Sequence, residues 1–256
     1  MQGTGSRRVE VDGLAVAPLS KALCYPAGAA SDPMKRIEAL KGLDVAVLVF
    51  RGRTEVAGLR VLGKGHVGVV IACEWKGRSA ALKIRRTDAD RDSLEREAGI
   101  LSEANKWGLG PQLYAFSRDF IVMEELVGER LVDWLAGSSA IEDREFRRVL
   151  SNVCDQARLL DEAGIDHKEL SDPRRHVIVQ SDGRARLLDF ETAGVGGMKR
   201  NVNSLIQFLT LSGPYGRAIL TRLGGDREAV LAALRAYRRR PAEGEYRAVR
   251  ESMGLS

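Results

Sequence analysis

The chain has 256 residues, 44% of them hydrophobic, and a formal net charge of +5. That is enough to bury one large domain or two coupled units, and too mildly basic to identify a nucleic-acid binder. No stretch approaches the ~20 apolar residues of a membrane-spanning helix. The opening Met1–Arg8 has neither the apolar segment of a secretory leader nor a myristoylation pattern, so a cytoplasmic protein with no membrane partner is expected. Cys24, Cys73 and Cys154 are scattered and form no C-x-x-C pair. They exclude a disulfide framework and a zinc site, and are expected to be buried structural residues.

The first thirty residues are loosely patterned, with turn signals at Asp12-Gly13 and Pro26-Ala27-Gly28. Asp32 followed by Pro33 is a helix start, an N-cap with proline at the first helical position, and predicts a helix over 34–43. Residues 45–50, Val-Ala-Val-Leu-Val-Phe, read as a buried strand. From Thr54 the texture becomes strand-rich, with strands over 59–62, 67–75 and 79–84 and a turn at Lys76-Gly77-Arg78. Asp90 or Asp92 would cap a helix running to 106, stopped by Gly108-Leu109-Gly110-Pro111. A strand pair at 112–116 and 120–123 follows. Beyond Gly128 the pattern turns helical: 131–135, 143–163, 202–211, 218–223 and 228–239, interrupted by short strands at 176–179 and 185–188. Strands first and helices later, with the change near Glu125, predict an α+β chain. Its expected parts are an N-terminal extension (1–53, helix plus strand), a sheet part (54–125) and a helical part (126–256). Whether the extension docks on the sheet or recruits a partner is left open.

The strongest local signal is Gly63-Lys64-Gly65-His66-Val67-Gly68-Val69-Val70. Glycines so spaced let backbone N–H groups fold over phosphates. A dinucleotide fingerprint would open a helix, whereas valines follow here, and the Gly-Lys-Ser/Thr of a Walker loop is missing. One hairpin later, Lys83 ends the apolar strand Ala80-Ala81-Leu82-Lys83. Its ammonium would reach phosphates if a carboxylate held it extended, and the next helix offers Glu95 and Glu97. Glu97 is preferred because Ala-Gly-Ile-Leu follows it for packing.

This order resembles the protein-kinase superfamily: glycine loop, Ala-Leu-Lys strand, helix glutamate, then Ile121-Val122-Met123-Glu124-Glu125-Leu126-Val127-Gly128 as the hinge. The resemblance implies a bilobal kinase-like fold with ATP between a sheet lobe and a reduced helical lobe. It makes Met123 the gatekeeper and turns backbone groups of Glu124 and Leu126 toward adenine. The implied nucleotide contacts are Gly63, Lys64, Gly65, Gly68, Val70, Ala81, Lys83, Glu97, Met123, Glu124 and Leu126. Further on, Asp166-His167-Lys168-Glu169-Leu170 resembles the H-R-D-L-x-x-x-N loop. His167 takes the place of a structural histidine and Glu169 that of the catalytic aspartate, with Asp166 and Asp172 as the next carboxylates to consider. His176 replaces the metal-binding asparagine after two extra residues and, as a poor magnesium ligand, is left outside the metal set. Thirteen residues beyond it, Asp189-Phe190-Glu191 resembles D-F-G, which makes Asp189 the expected ligand of Mg²⁺, or of Mn²⁺ in its place.

The catalytic set implied is therefore Glu169, Lys83 and Asp189. The wording His-x-acid-Leu-Ser is similar to that of RIO-type, small tRNA-modification and aminoglycoside-type kinases, and with Leu23-Cys24-Tyr25-Pro26 it resembles that of archaeal serine/threonine kinases predicted from sequence. No A-P-E motif follows Asp189, which puts ordinary peptide docking in doubt. Three activities stay open: an atypical serine/threonine kinase acting on a protein or on itself, an ATP-binding pseudokinase or ATPase switch, and a small-molecule or RNA-linked kinase. Arg235 with Arg238-Arg239-Arg240 would suit RNA or an acidic partner, though a solvated helix end explains the cluster better.

Overall fold

The structure, a computed structural model, describes residues 6–26, 32–196 and 200–255. The architecture is α+β with antiparallel strand pairing throughout the large sheet. Two compact units compose it: residues 1–102 with 112–125, and residues 103–111 with 126–256.

In the first unit, β1 (Arg7–Glu10), a 3-10 turn (Val11–Ala15) and α1 (Leu19–Leu23) precede α2 (Pro33–Gly42) and β2 (Val45–Phe50). Helix α2 starts where Asp32 accepts a 2.9 Å hydrogen bond from the Met34 N–H, with Pro33 in the first turn, where its missing N–H costs nothing. A small ribbon, β3 (Thr54–Val56) and β4 (Leu59–Val61), leads to β5 (Gly63–Lys64), β6 (Gly68–Trp75) and β7 (Arg78–Arg85). Lys76 and Gly77 join the last two with φ of 48° and 73°, the left-handed pair of a tight hairpin turn. After α3 (Glu95–Asn105) come β8 (Leu113–Ser117) and β9 (Phe120–Met123). Among the described residues the sheet has seven strands in the order β1-β2-β6-β7-β9-β8, with β5 on β6.

Among the described residues before Arg51, two strands, β1 and β2, belong to the same sheet as β6 and β7. Leu14, Leu23, Ile37, Leu40 and Leu48 lie in one core with Ile71, Leu82 and Phe120. Each such side chain contributes about 1.5–3 kcal/mol by leaving water. Helix α3 begins later than the expected 90–92 start. The Asp92 carbonyl accepts from Arg118 Nε and the Arg91 carbonyl from Arg85 Nη1, and these anchors hold the segment as a loop, so neither Asp90 nor Asp92 caps the helix.

In the second unit, β10 (Glu129–Arg130) and α4 (Leu131–Gly137) precede the long α5 (Asp143–Ala163). Its apolar positions Phe146, Val149, Leu150, Val153, Ala157 and Leu160 recur every three or four residues and are buried. Gly164 closes it with φ of 68°, a left-handed cap that favours glycine. Strand β11 (Ile165–Asp166), β12 (Val177–Val179), β13 (Ala185–Leu187) and β14 (Gly194–Val195) follow. Helix α5 grips β13 through two side-chain amides. Asn152 Oδ1 accepts from the Ala185 N–H at 2.7 Å, and Gln156 pairs with the Ala185 carbonyl and the Leu187 N–H.

The remaining elements are α6 (Asn201–Gln207), a π-helical turn (Phe208–Ser212), α7 (Gly216–Leu223), α8 (Arg227–Arg239) and α9 (Glu243–Ser252). Arg238 and Arg239 are exposed in the last turn of α8, where cations favour the helix dipole. All three cysteines are free and buried, and burial pushes the Cys73 and Cys154 thiols up to about 12. No helix among the described residues is long and apolar enough to cross a membrane.

Candidate active site

In the first unit the glycine segment is a hairpin rather than an open loop. Gly63 and Lys64 pair with Val70 and Val69, and the Gly65 N–H donates to the Gly68 carbonyl at 2.8 Å. Gly68 must be glycine for a steric reason: a Cβ there would lie 2.9 Å from Lys83 Cε and 3.0 Å from its Cγ. The lysine stem therefore crosses bare backbone. At Gly63 a Cβ would meet nothing within 4 Å, and at Gly65 only the Gly68 carbonyl at 3.7 Å, so packing does not demand glycine at these two positions.

Lys83 Nζ donates to both Glu97 carboxylate oxygens, at 2.7 and 2.8 Å. Lys83 is 5% and Glu97 7% exposed, whereas Glu95 faces solvent. The helix explains the choice: Leu94, Glu97, Ala98 and Leu101 share one buried face at spacings of three and four. Val70 lies opposite Lys83, and Ala81 is flanked by Ala72 and Met123 on adjacent strands. At the end of β9 the Glu124 N–H donates to the Gln112 carbonyl at 2.8 Å. That N–H is therefore engaged by the protein itself. Leu126 is half-buried and opens the 126–256 segment of the second unit.

The second unit holds the other half of the expected set. His167 is fully buried; its N–H donates to Asn201 Oδ1 at 3.0 Å, and its Nε2 lies 2.9 Å from the Leu188 carbonyl. That carbonyl requires the proton on Nε2, and burial drives the imidazole down to about 4, so the ring is neutral near pH 7. It stands edge-on to Phe190 at 5.1 Å. The backbone turns sharply at two neighbours, with φ of 67° at Lys168 and 66° at Asp189. Left-handed backbone is tolerated by aspartate and less readily by lysine, and such strain concentrates at working sites.

Beneath this loop lies a node that sequence reasoning missed. Buried Asp161 accepts from the Asn201 N–H at 3.0 Å, Asn201 Nδ2 at 2.8 Å and Tyr237 Oη at 2.9 Å, while Asn201 Nδ2 also donates to the Ile165 carbonyl at 2.7 Å. One of three aspartates in an amphipathic helix and an asparagine forty residues on carry no local signal of meeting. Thr192 was missed too: its Oγ1 donates to Glu169 Oε1 at 2.9 Å. Only its place directly after Asp-Phe-Glu could have drawn notice.

His176 stands between two carboxylates, Nε2 at 3.9 Å from Glu169 Oε2 and Nδ1 at 3.8 Å from Asp189 Oδ2. Both distances exceed a hydrogen bond, and the buried Nδ1 has no hydrogen-bond partner. Asp172 is engaged otherwise: Arg174 donates to its two oxygens at 2.7 Å each and holds its carboxyl below the ordinary range. Asp166 pairs with Gly194 in β11–β14.

Among the described residues no group of three or more His, Cys, Asp or Glu side chains could hold a metal alone. Magnesium does not ask for one: it is commonly held by one or two carboxylates, water and substrate phosphates. The half-exposed Asp189 carboxylate, 40% accessible, fits that mode.

No family model matches the chain. Similar curated proteins are protein kinase C epsilon type of Oryctolagus cuniculus, 28% identical over 150 residues (54% of this chain, 20% of that one); serine/threonine-protein kinase cds1 of Schizosaccharomyces pombe, 26% over 151 residues (54% and 32%); and CBL-interacting protein kinase 21 of Oryza sativa, 24% over 152 residues (56% and 28%). Over about half its length the chain resembles serine/threonine protein kinases. It spans between a fifth and a third of the length of these relatives. The likeness supports a protein-kinase-like phosphotransferase, for which ATP and a divalent metal are the general requirement.

Proposed function

We propose that this chain transfers the γ-phosphate of ATP to a serine or threonine hydroxyl of a protein, as an atypical, RIO-like member of the kinase-like proteins. The observation that carries the reading is the Lys83–Glu97 pair, buried and doubly hydrogen-bonded beneath Gly68. A lysine so fixed is a preset cation for phosphates, at a depth where burying a charge otherwise costs several kcal/mol.

In this reading the glycine hairpin and Lys83 cradle the phosphates, while Val70, Ala81, Met123, Glu124 and Leu126 belong to the adenine side. Asp189 would hold Mg²⁺, which supplies charge neutralisation on the triphosphate when bound. Glu169 orients the acceptor hydroxyl and takes its proton, and neutral His167 holds the backbone ahead of Asp189. Catalysis is then alignment and electrostatics rather than covalent chemistry.

The test is incubation with γ-labelled ATP and Mg²⁺ or Mn²⁺. Label on protein is the expected result, and Asp189→Asn should lower it about a thousandfold or more while the far-ultraviolet circular dichroism stays unchanged. Release of free phosphate alone would favour an ATPase switch. Label on a small molecule or RNA would move the acceptor class. Full transfer by Asp189→Asn would overturn the assignment of the metal-binding carboxylate.

A further inference from the structure

We propose that the N-terminal segment ending at Tyr25 is a built-in clamp on the glycine hairpin, with Tyr25 the positioning residue that fixes the hairpin's tip; the inference rests on the nucleotide-binding reading above. The hairpin is weakly held by its own ladder. Strand β5 has two residues, paired Gly63 to Val70 and Lys64 to Val69, and glycines lose more backbone freedom on ordering than other residues. Its tip is instead fastened from outside.

Three attachments converge there. Lys64 Nζ lies 5.3 Å from the Tyr25 ring centroid and 3.3 Å from its hydroxyl. The Arg86 guanidinium lies 5.3 Å from the same ring and donates to the Gly65 carbonyl at 3.0 Å. The Arg86 N–H donates to the Val67 carbonyl at 2.8 Å. Arg86 is itself pinned by Asp88 through contacts of 2.9 and 2.7 Å. Tyr25 is anchored independently: its carbonyl accepts from the Thr87 N–H at 2.9 Å, and the Cys24 carbonyl from Thr87 Oγ1 at 3.4 Å.

One aromatic ring thus faces two cations, one on the hairpin tip and one bonded to the tip's backbone. Cation–π contacts of this kind are strongest over electron-rich rings and survive partial exposure. A hairpin ordered in advance leaves less entropy to be lost when its amides close on phosphates. The effect falls on the triphosphate end of the ligand, and a nucleoside lacking phosphates does not report it.

The experiment is calorimetric titration of the whole chain with MgATP and, separately, with adenosine. Tyr25→Leu should weaken MgATP binding roughly three- to tenfold, the size of one or two lost cation–π contacts, and leave adenosine binding as it was. Tyr25→Phe, which keeps the ring, should restore most of the affinity. Arg86→Met, which keeps the Tyr25 ring and its carbonyl's bond from the Thr87 N–H, should reproduce the selective loss if Tyr25→Leu proves too unstable to purify. Equal loss for both ligands would make Tyr25 merely structural and overturn the inference, as would unchanged MgATP affinity in both variants. A wild-type chain that binds neither ligand would overturn the nucleotide reading and this inference with it.

Discussion

The Lys83–Glu97 pair and the Glu169–His176–Asp189 group are built on opposite plans. Lys83 and Glu97 project from a sheet strand and a helix, are both buried, and meet in two hydrogen bonds of 2.7 and 2.8 Å. The other three side chains sit on or beside loops, are 36%, 20% and 40% exposed, and keep 3.8–3.9 Å between the imidazole nitrogens and the carboxylate oxygens. The first arrangement is complete without a ligand. In the kinase reading the buried pair supplies a preset cation for phosphates, and the exposed Asp189 carboxylate an anion for the metal that accompanies them.

The largest way to break that contrast is Lys83→Met. It leaves the Glu97 carboxylate buried without its ammonium, and removing one member of a buried ion pair costs about 3–5 kcal/mol. Urea unfolding should show that loss as a shifted midpoint at constant slope. Adding Glu97→Gln to Lys83→Met should recover most of it. Asp189→Asn, on the exposed side of the comparison, should stay within about 0.5 kcal/mol of wild type. If Lys83→Met is as stable as Asp189→Asn, the pair is not the preset element described above.

A second test acts through His167, buried and hydrogen-bonded in the second unit. Its folded pKa is about 4 because of burial, against ~6.5 unfolded. Between those values the unfolded chain binds the extra proton and the folded chain does not, so stability is full above about pH 6.5 and falls as pH drops toward 4. The total loss from this group is up to roughly 3 kcal/mol. Carboxylates add their own slope, so the measurement is the difference between wild type and His167→Gln in unfolding free energy at pH 7 and pH 5. The variant should lose less on acidification; parallel pH profiles would sink the argument.

Much of the fold was legible because its signals are local. Asp32-Pro33 gave the start of α2, Lys76-Gly77 the turn between β6 and β7, and the apolar spacing of 143–163 both ends of α5. Strand β1 was not legible: Arg7-Arg8-Val9-Glu10 lacks an apolar pattern and is a strand only because β2 offers it an edge. Helix α3 was drawn too long, since carbonyl contacts from Arg118 and Arg85, remote in sequence, hold 91–92 in a loop. In the site, Lys83, Glu97, His167, Glu169 and Asp189 stood out by residue type and order. Tyr25, Asp161, Thr192 and Asn201 did not, because each acts through a partner between 23 and 41 positions away or more.

Thr192 gives the finest test of the exposed group. In the kinase reading, glutamate at position 169, where the resemblance places an aspartate, adds a methylene and a rotatable bond, so the carboxylate proposed to meet an acceptor hydroxyl has more places to be. The Thr192 hydroxyl, 2.9 Å from Glu169 Oε1, removes part of that freedom. Valine has the same shape without the donor, so Thr192→Val removes the 2.9 Å contact to Glu169 and the longer 3.3 Å one to the His167 carbonyl with little change of packing. In the kinase reading it should lower kcat about tenfold, equivalent to ~1.4 kcal/mol of barrier, with KM for ATP unchanged because the nucleotide contacts lie elsewhere. Thr192→Ser keeps the hydroxyl and should restore most of the rate. A valine variant with full kcat would mean that Glu169 needs no such guide. One that loses kcat and KM together, unrescued by serine, would mean that Thr192 supports the loop as a whole rather than the carboxylate.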